Sequence, residues 1–141
     1  MASCLTLSAC GAENNPANPT PASVPEILEV IGQQGLRISN VVSGDPGCND
    51  RKLVQTAISL MASGFDQVTP TRLYVYAFRN RATWERLASS VDACARSYVT
   101  DPAAYGSIQA SPFVVAGPGP WAPGFAERLR AALTKAAGNG G

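Results

Sequence analysis

Few side chains in this sequence could catalyse a reaction. Its 141 residues include no histidine, so the commonest general base and the commonest metal ligand are both missing. Serine–histidine–aspartate and cysteine–histidine catalysis are therefore excluded. Carboxylates such as Asp45, Asp50 and Asp92 remain, and an enzyme built on them would be a histidine-free, carboxylate-dependent hydrolase. No catalytic signature accompanies them, so we assign no catalytic residue and expect a protein that is not an enzyme.

The segment around Asp45 and Asp50 also offers oxygen atoms to a calcium ion. Its spacing does not match an EF-hand loop, which needs further acidic positions and a terminal glutamate, and turn and capping roles explain both residues more simply. The glycines of the chain form no phosphate-binding loop. We therefore expect no metal and no cofactor. The formal net charge of +1 leaves no basic footprint for nucleic acid, which we exclude as a partner.

Hydrophobic periodicity predicts four helices that alternate with three strands. The predicted helices cover about residues 24–34, 50–63, 81–98 and 125–136, and the predicted strands cover residues 36–43, 72–79 and 111–117. This α-β-α-β-α-β-α order favours an α/β fold with a small three-stranded sheet and two-layer packing. An α+β arrangement with an antiparallel neighbour stays open as the alternative.

The beginning of the chain carries an export-like motif. Leu7-Ser8-Ala9-Cys10 resembles the lipobox of bacterial lipoproteins, a family in which the cysteine is lipidated and becomes the first mature residue. Residues 11–22 have the Asn- and Pro-rich composition of a disordered tether. A basic n-region and a full apolar h-region are missing before Cys10, so we expect residues 1–10 to be a truncated signal peptide with a start codon further upstream. Residues 23–138 are expected to form a single αβ domain.

The run Leu73-Tyr-Val-Tyr-Ala-Phe78, followed by a helix rich in Trp, Leu and Val, completes a likeness to small bacterial lipoproteins of unknown function. The resemblance implies an extracytoplasmic protein anchored to the bacterial membrane by lipid on Cys10. It implies no further site residue, because that group has no function that could be transferred.

Two cysteines, Cys48 and Cys94, belong to the domain itself. Cys94 falls on the apolar stripe of the third predicted helix, one turn after Val91, and Cys48 precedes the second. In the oxidising compartment that the resemblance implies, two such cysteines usually pair, so we expect a structural disulfide. Unpaired thiols and redox catalysis stay open, although redox enzymes commonly use a close Cys-x-x-Cys pair.

Trp121 follows a stiff Gly-Pro-Gly-Pro loop and either contacts a partner or covers the edge of the core. The leading hypothesis is a non-enzymatic module that binds an envelope protein or a small ligand. The competing hypotheses are the carboxylate-dependent hydrolase and a purely structural envelope protein. A pocket where carboxylates converge, or where a carboxylate meets an arginine, would favour the enzyme. An exposed apolar patch would favour the binding module.

Overall fold

The computed structural model describes residues 23–138 and Gly140. The signal peptide, the lipidation site at Cys10 and the tether expected for residues 1–22 lie outside the described residues. The helices are α1 (Val24–Gln33), α2 (Arg51–Val54), α3 (Arg81–Ala95) and α4 (Pro123–Ala137), with a 3-10 turn at Pro102–Ala104. The strands are β1 (Arg37–Ser43), β2 (Ala57–Gly64), β3 (Gln67–Ala77), β4 (Tyr105–Ala110) and β5 (Phe113–Pro118).

The five strands form one sheet in the order β1-β2-β3-β5-β4, and every neighbouring pair is antiparallel. The fold is therefore α+β, and the expected three-stranded α/β sheet is wrong. The α+β class agrees with the alternative considered from the sequence, an α+β arrangement with an antiparallel neighbour. The expected two-layer packing is also wrong, because helices cover both faces of the sheet.

The second predicted helix is the main error. Residues 51–54 do form one helical turn, but Ala57–Gly64 is a strand between β1 and β3. Its side chains are buried on both faces of the sheet: Ile58, Leu60 and Ala62 on one, Ala57 and Ser59 on the other. A short apolar run has the same composition in a buried helix and in a central strand, so spacing does not separate the two.

Strand β4 has no counterpart among the predicted strands. It lies at one edge of the sheet, and Ile108 is the one buried residue of its six. An edge strand needs few apolar side chains to pack against the core. Its sequence therefore lacks the alternation of apolar and polar residues by which a strand is recognised. By contrast, β3 is the middle strand of the sheet, as its apolar side chains on both faces predict.

The two faces of the sheet have different cover. Helices α1 and α4 contact each other and pack on one face. The core on that face includes Ile27, Ile31, Leu60, Val75, Val115, Phe125 and Leu129. On the other face, α3 and the short α2 pack over β3 and β5, and this core includes Leu53, Tyr76, Val91, Val114 and Ala116.

A disulfide bond joins Cys48 to Cys94 and confirms the expected pairing. Their Cα atoms are 5.4 Å apart, and Cys94 lies on the buried side of α3. The bond spans a sequence separation of 46, for which the chain-entropy model gives a stabilisation of about 4 kcal/mol. It holds the loop before α2 against α3.

The β2–β3 hairpin holds the N-terminus of α4. The Asp66 carboxylate accepts hydrogen bonds from the backbone N–H groups of Gly124, at 2.7 Å, and Phe125, at 2.8 Å. Gln67 Oε1 accepts another from the N–H of Ala122, at 2.9 Å. Amides of a first helical turn have no partner within the helix, and a negative charge is favoured there. The hydrogen bond from Gly124 holds the pKa of Asp66 below its ordinary value.

We expect Asp66→Ala to destabilise the fold, because two α4 amides lose their acceptor. Asp50→Ala is the matched control, since Asp50 caps the single turn of α2 through one amide, that of Lys52. Urea unfolding at neutral pH, followed by circular dichroism, should give Asp66→Ala the lower midpoint.

The pH dependence provides a second measurement. Because the folded pKa of Asp66 is lowered, its contribution is present above the ordinary value of 3.8 and is lost as the pH falls through the folded value. The gap between the parent protein and Asp66→Ala should therefore narrow in acid. Equal midpoints for the two variants, or a gap that persists in acid, would contradict the capping role.

Candidate functional site

All four tyrosines of the chain gather on the face of the sheet that α3 covers. Tyr74 and Tyr76 belong to β3, Tyr98 follows α3, and Tyr105 begins β4. The ring centroids of Tyr74 and Tyr98 are 4.2 Å apart, and the hydroxyl oxygens of Tyr76 and Tyr98 are 3.3 Å apart. We refer to these four residues as the tyrosine cluster.

The loop before α2 is fixed on the tyrosine cluster. The Tyr76 hydroxyl donates to the carbonyl oxygen of Pro46 at 2.7 Å, and the next residue but one, Cys48, is bonded to α3. Gly47 between them has a φ of +83°, and a Cβ there would lie 2.6 Å from the ring of Tyr98. Glycine is therefore required at this position.

Burial raises the pKa of every tyrosine in the cluster. At Tyr105 it raises the pKa to about 12, and at Tyr76 and Tyr98 the rise is larger. At Tyr74 the nearby charge of Asp45 acts in the same direction as burial. The four phenols are thus neutral at physiological pH, and none supplies a phenolate as base or nucleophile.

Beside the tyrosine cluster, the connection between α3 and β4 surrounds a cavity of about 240 Å³. Its lining residues are Arg96, Val99, Pro102 and Tyr105. Arg96 is the C-cap of α3, Pro102 begins the 3-10 turn, and Tyr105 is the first residue of β4. Sites for drug-sized ligands measure roughly 300–1,000 Å³, so an occupant of this cavity would be small.

The cavity combines one cation with apolar walls. The Arg96 guanidinium presents a planar fork of N–H donors, while Val99 and Pro102 contribute apolar surface. The Tyr105 hydroxyl donates to Asp92 Oδ1 at 3.0 Å, which ties the ring to α3. Such an arrangement can bind a small molecule that carries an anionic group on an apolar body.

A more open depression of about 590 Å³ lies between the N-terminus of α3 and the C-terminus of α4. Arg81, Trp84 and Thr134 are among its lining residues. The Trp84 Nε1 atom is buried and has no hydrogen-bond partner. We take the cavity beside Tyr105 as the candidate site because it is the more enclosed of the two.

The three carboxylates considered from the sequence all serve local hydrogen bonds. Asp45 accepts a hydrogen bond from the N–H of Gly47, and Asp50 accepts one from the N–H of Lys52. Asp92 accepts one from the hydroxyl of Tyr105. No group of three or more His, Cys, Asp or Glu side chains within residues 23–138 could hold a metal ion. A carboxylate that meets an arginine in a pocket would favour a hydrolase. Asp92 and Arg96 come closest to that arrangement, since the charges of both act on Tyr105.

Trp121 is half-buried. Its indole Nε1 donates to the carbonyl oxygen of Pro118 at 2.9 Å, and its ring meets that of Phe125 edge to face. A Cβ at Gly106 would lie 2.5 Å from the indole, so the ring lies directly on β4. These are the contacts of a cover over the core edge, and a partner contact at Trp121 stays a prediction.

None of the four cavity residues was among the candidates from the sequence. They surround a turn and match no motif. Asp101, which caps the 3-10 turn through the N–H of Ala103, stands before Pro102, and a capping residue followed by proline is the local signal for a helical start there. That signal marks the turn but does not show that the turn encloses a cavity.

No protein-family model, curated protein or solved structure matches this chain. Among the helices of the described residues, none combines the length and apolarity that a membrane span requires. A function therefore has to be argued from the site itself.

The tyrosine pKa values predict a delayed alkaline titration. Each folded value lies above the ordinary 10.0, so the stability from the neutral phenols is complete below pH 10 and is lost as the pH rises further. We expect tyrosinate absorption of the native protein to appear above pH 10 together with unfolding. In concentrated urea the tyrosines should titrate at their ordinary pKa. Ordinary titration of all four in the native protein would contradict the burial of the cluster.

Proposed function

We propose that this chain is an exported module, anchored at the bacterial membrane by lipid on Cys10, that binds a small ligand and catalyses no reaction. The disulfide between Cys48 and Cys94 supports the location, because structural disulfides persist in oxidising compartments and are rare in the cytosol. Cys94 is buried, so the bond belongs to the core of the fold. The lipobox-like Leu7-Ser8-Ala9-Cys10 supports the anchor.

The observation that carries ligand binding is the cavity beside Tyr105. Its ligand would be a small carboxylate with an apolar body: the Arg96 guanidinium pairs with the carboxylate, and Val99 and Pro102 contact the body. Tyr105, with a pKa of about 12, contributes a neutral wall. Binding is favoured over hydrolysis, because Asp92 Oδ1 is already bound to the Tyr105 hydroxyl and no activated nucleophile accompanies it.

Binding of an envelope protein is the second candidate, and exposed valines favour it. Val41 and Val42 on the edge strand β1 are 45% and 48% exposed, and Val54 of α2 is 37% exposed. The register of β1 shifts between Ser39 and Val42, however, and an irregular edge resists pairing with a further strand. We therefore rank this candidate below the cavity.

Lipidation is tested by labelling the native host with an alkyne fatty acid and analysing its membrane fraction. We expect the protein to carry the label, the Cys10→Ala variant to lose it, and the Cys4→Ala variant to keep it as the matched control. The physical reason is that the acyl chain is attached to one sulfur atom. An unlabelled parent protein, or a labelled Cys10→Ala variant, would contradict the anchor.

Ligand binding is tested by an NMR titration with benzoate as the probe. We expect shifts at Val99 and Tyr105, and we expect Arg96→Gln to weaken binding by about two- to fivefold, because Arg96 is exposed and an ion pair at an exposed arginine contributes about 0.2–1 kcal/mol. Arg86→Gln, an exposed arginine of the same helix outside the cavity lining, is the matched control.

Benzylamine, which reverses the ligand charge, tests the role assigned to Arg96. Tighter binding of benzylamine than of benzoate would mean that Asp92 dominates the site and would overturn the carboxylate assignment. The same affinity for benzoate in the Arg96→Gln and Arg86→Gln variants would also overturn it.

A further inference from the structure

The end of the β2–β3 hairpin exposes apolar side chains that the core does not use. Phe65, in the two-residue connection between the strands, is 50% exposed, and Val68 at the start of β3 is 84% exposed. Both line a groove of about 270 Å³ together with Arg37. Large apolar side chains exposed side by side mark an interaction surface. We refer to Phe65 and Val68, together with the neighbouring Arg37 of β1 and Arg128 of α4, as the hairpin tip.

The charges at the hairpin tip are arranged asymmetrically. The Arg128 guanidinium carbon lies 4.0 Å from the centroid of the Phe65 ring, a distance at which cation and ring attract each other. Asp66 is the one acidic residue between Gly64 and Val68, and its carboxylate is bound by the first amides of α4. Two arginines thus stand against the one carboxylate of Asp66, which leaves this group of side chains with a net positive charge.

We propose that the hairpin tip contacts the surface of an anionic lipid bilayer. Phe65 and Val68 would enter the boundary between headgroups and acyl chains, and Arg37 and Arg128 would meet the lipid phosphates. Apolar side chains bordered by arginines are typical of interfacial membrane contacts, and an anionic leaflet attracts nearby cations. Charge complementarity thus favours a lipid surface as the occupant of this groove.

This inference rests on the proposed anchor at Cys10, which brings the hairpin tip near a membrane. Ser23 follows Cys10 by thirteen positions, and an extended chain of that length spans at most about 45 Å. The radius of gyration of a domain of this size is about 13 Å, so the hairpin tip can reach the bilayer that holds the anchor. Confinement near the surface also raises the effective concentration, so a weak contact is populated.

The test attaches the chain to vesicles without its natural anchor. An N-terminal hexahistidine tag holds a Cys10→Ser chain on nickel-chelating phosphatidylglycerol vesicles, and because the chain has no histidine of its own, the tag is the only histidine ligand. Val68→Trp reports the hairpin tip. Val42→Trp, at a 48% exposed valine on β1, is the matched control. Brominated acyl chains quench indoles that enter the bilayer.

After subtraction of the parent protein's own tryptophan signal, we expect Trp fluorescence of the Val68→Trp variant to be quenched at least about twofold more than that of Val42→Trp. The difference should shrink on phosphatidylcholine vesicles and in the Arg37→Gln, Arg128→Gln background. Equal quenching of the two variants on phosphatidylglycerol would overturn the contact. Because the anchor is artificial here, this result does not depend on lipidation, and a failure of lipidation would show in the fatty-acid labelling instead.

Discussion

The covalent bond between Cys48 and Cys94 is the constraint on which one whole layer of this protein depends. That layer has a single long helix, α3, over the apolar side chains of β3 and β5, and the loop before α2 completes the cover. Without a further constraint, detaching this loop from the sheet would cost little free energy, because the backbone groups of a loop bond readily to water. The disulfide and the hydrogen bond from Tyr76 to Pro46 hold it in place. The tyrosine cluster, in which Tyr76 is fully buried and the other three are half-buried, and the cavity beside Tyr105 belong to the same layer.

The opposite face is held by other means. Helices α1 and α4 bury their apolar sides against the sheet, and the entry to α4 is fixed by Asp66 of the β2–β3 hairpin. One hairpin thus has two roles. Its polar side chains turn towards α4 and stabilise the fold, which leaves Phe65 and Val68 facing outwards. The contacts that stabilise the fold and the proposed membrane contact thus involve neighbouring residues of one hairpin.

Our proposal assigns recognition rather than catalysis to this protein. The chain has no histidine, and burial raises the pKa values of its tyrosines, so neither an imidazole nor a phenolate acts as a base at neutral pH. What the cavity offers is one guanidinium, that of Arg96, and apolar walls. These are the elements of the small binding site that we propose, and they lie in the connection between α3 and β4.

The sequence by itself determined features that arise within a few residues along the chain. These are the absence of histidine chemistry, strand β3, and the helices α1, α3 and α4, because side-chain periodicity is local. Only the tertiary structure decided that Ala57–Gly64 is a strand, since a short apolar run becomes one when strands on both sides supply hydrogen-bond partners. It also decided that Asp66 caps a helix 58 residues away and that Arg96 and Tyr105 share a cavity. Such contacts depend on which distant segments meet, and no local pattern encodes that choice.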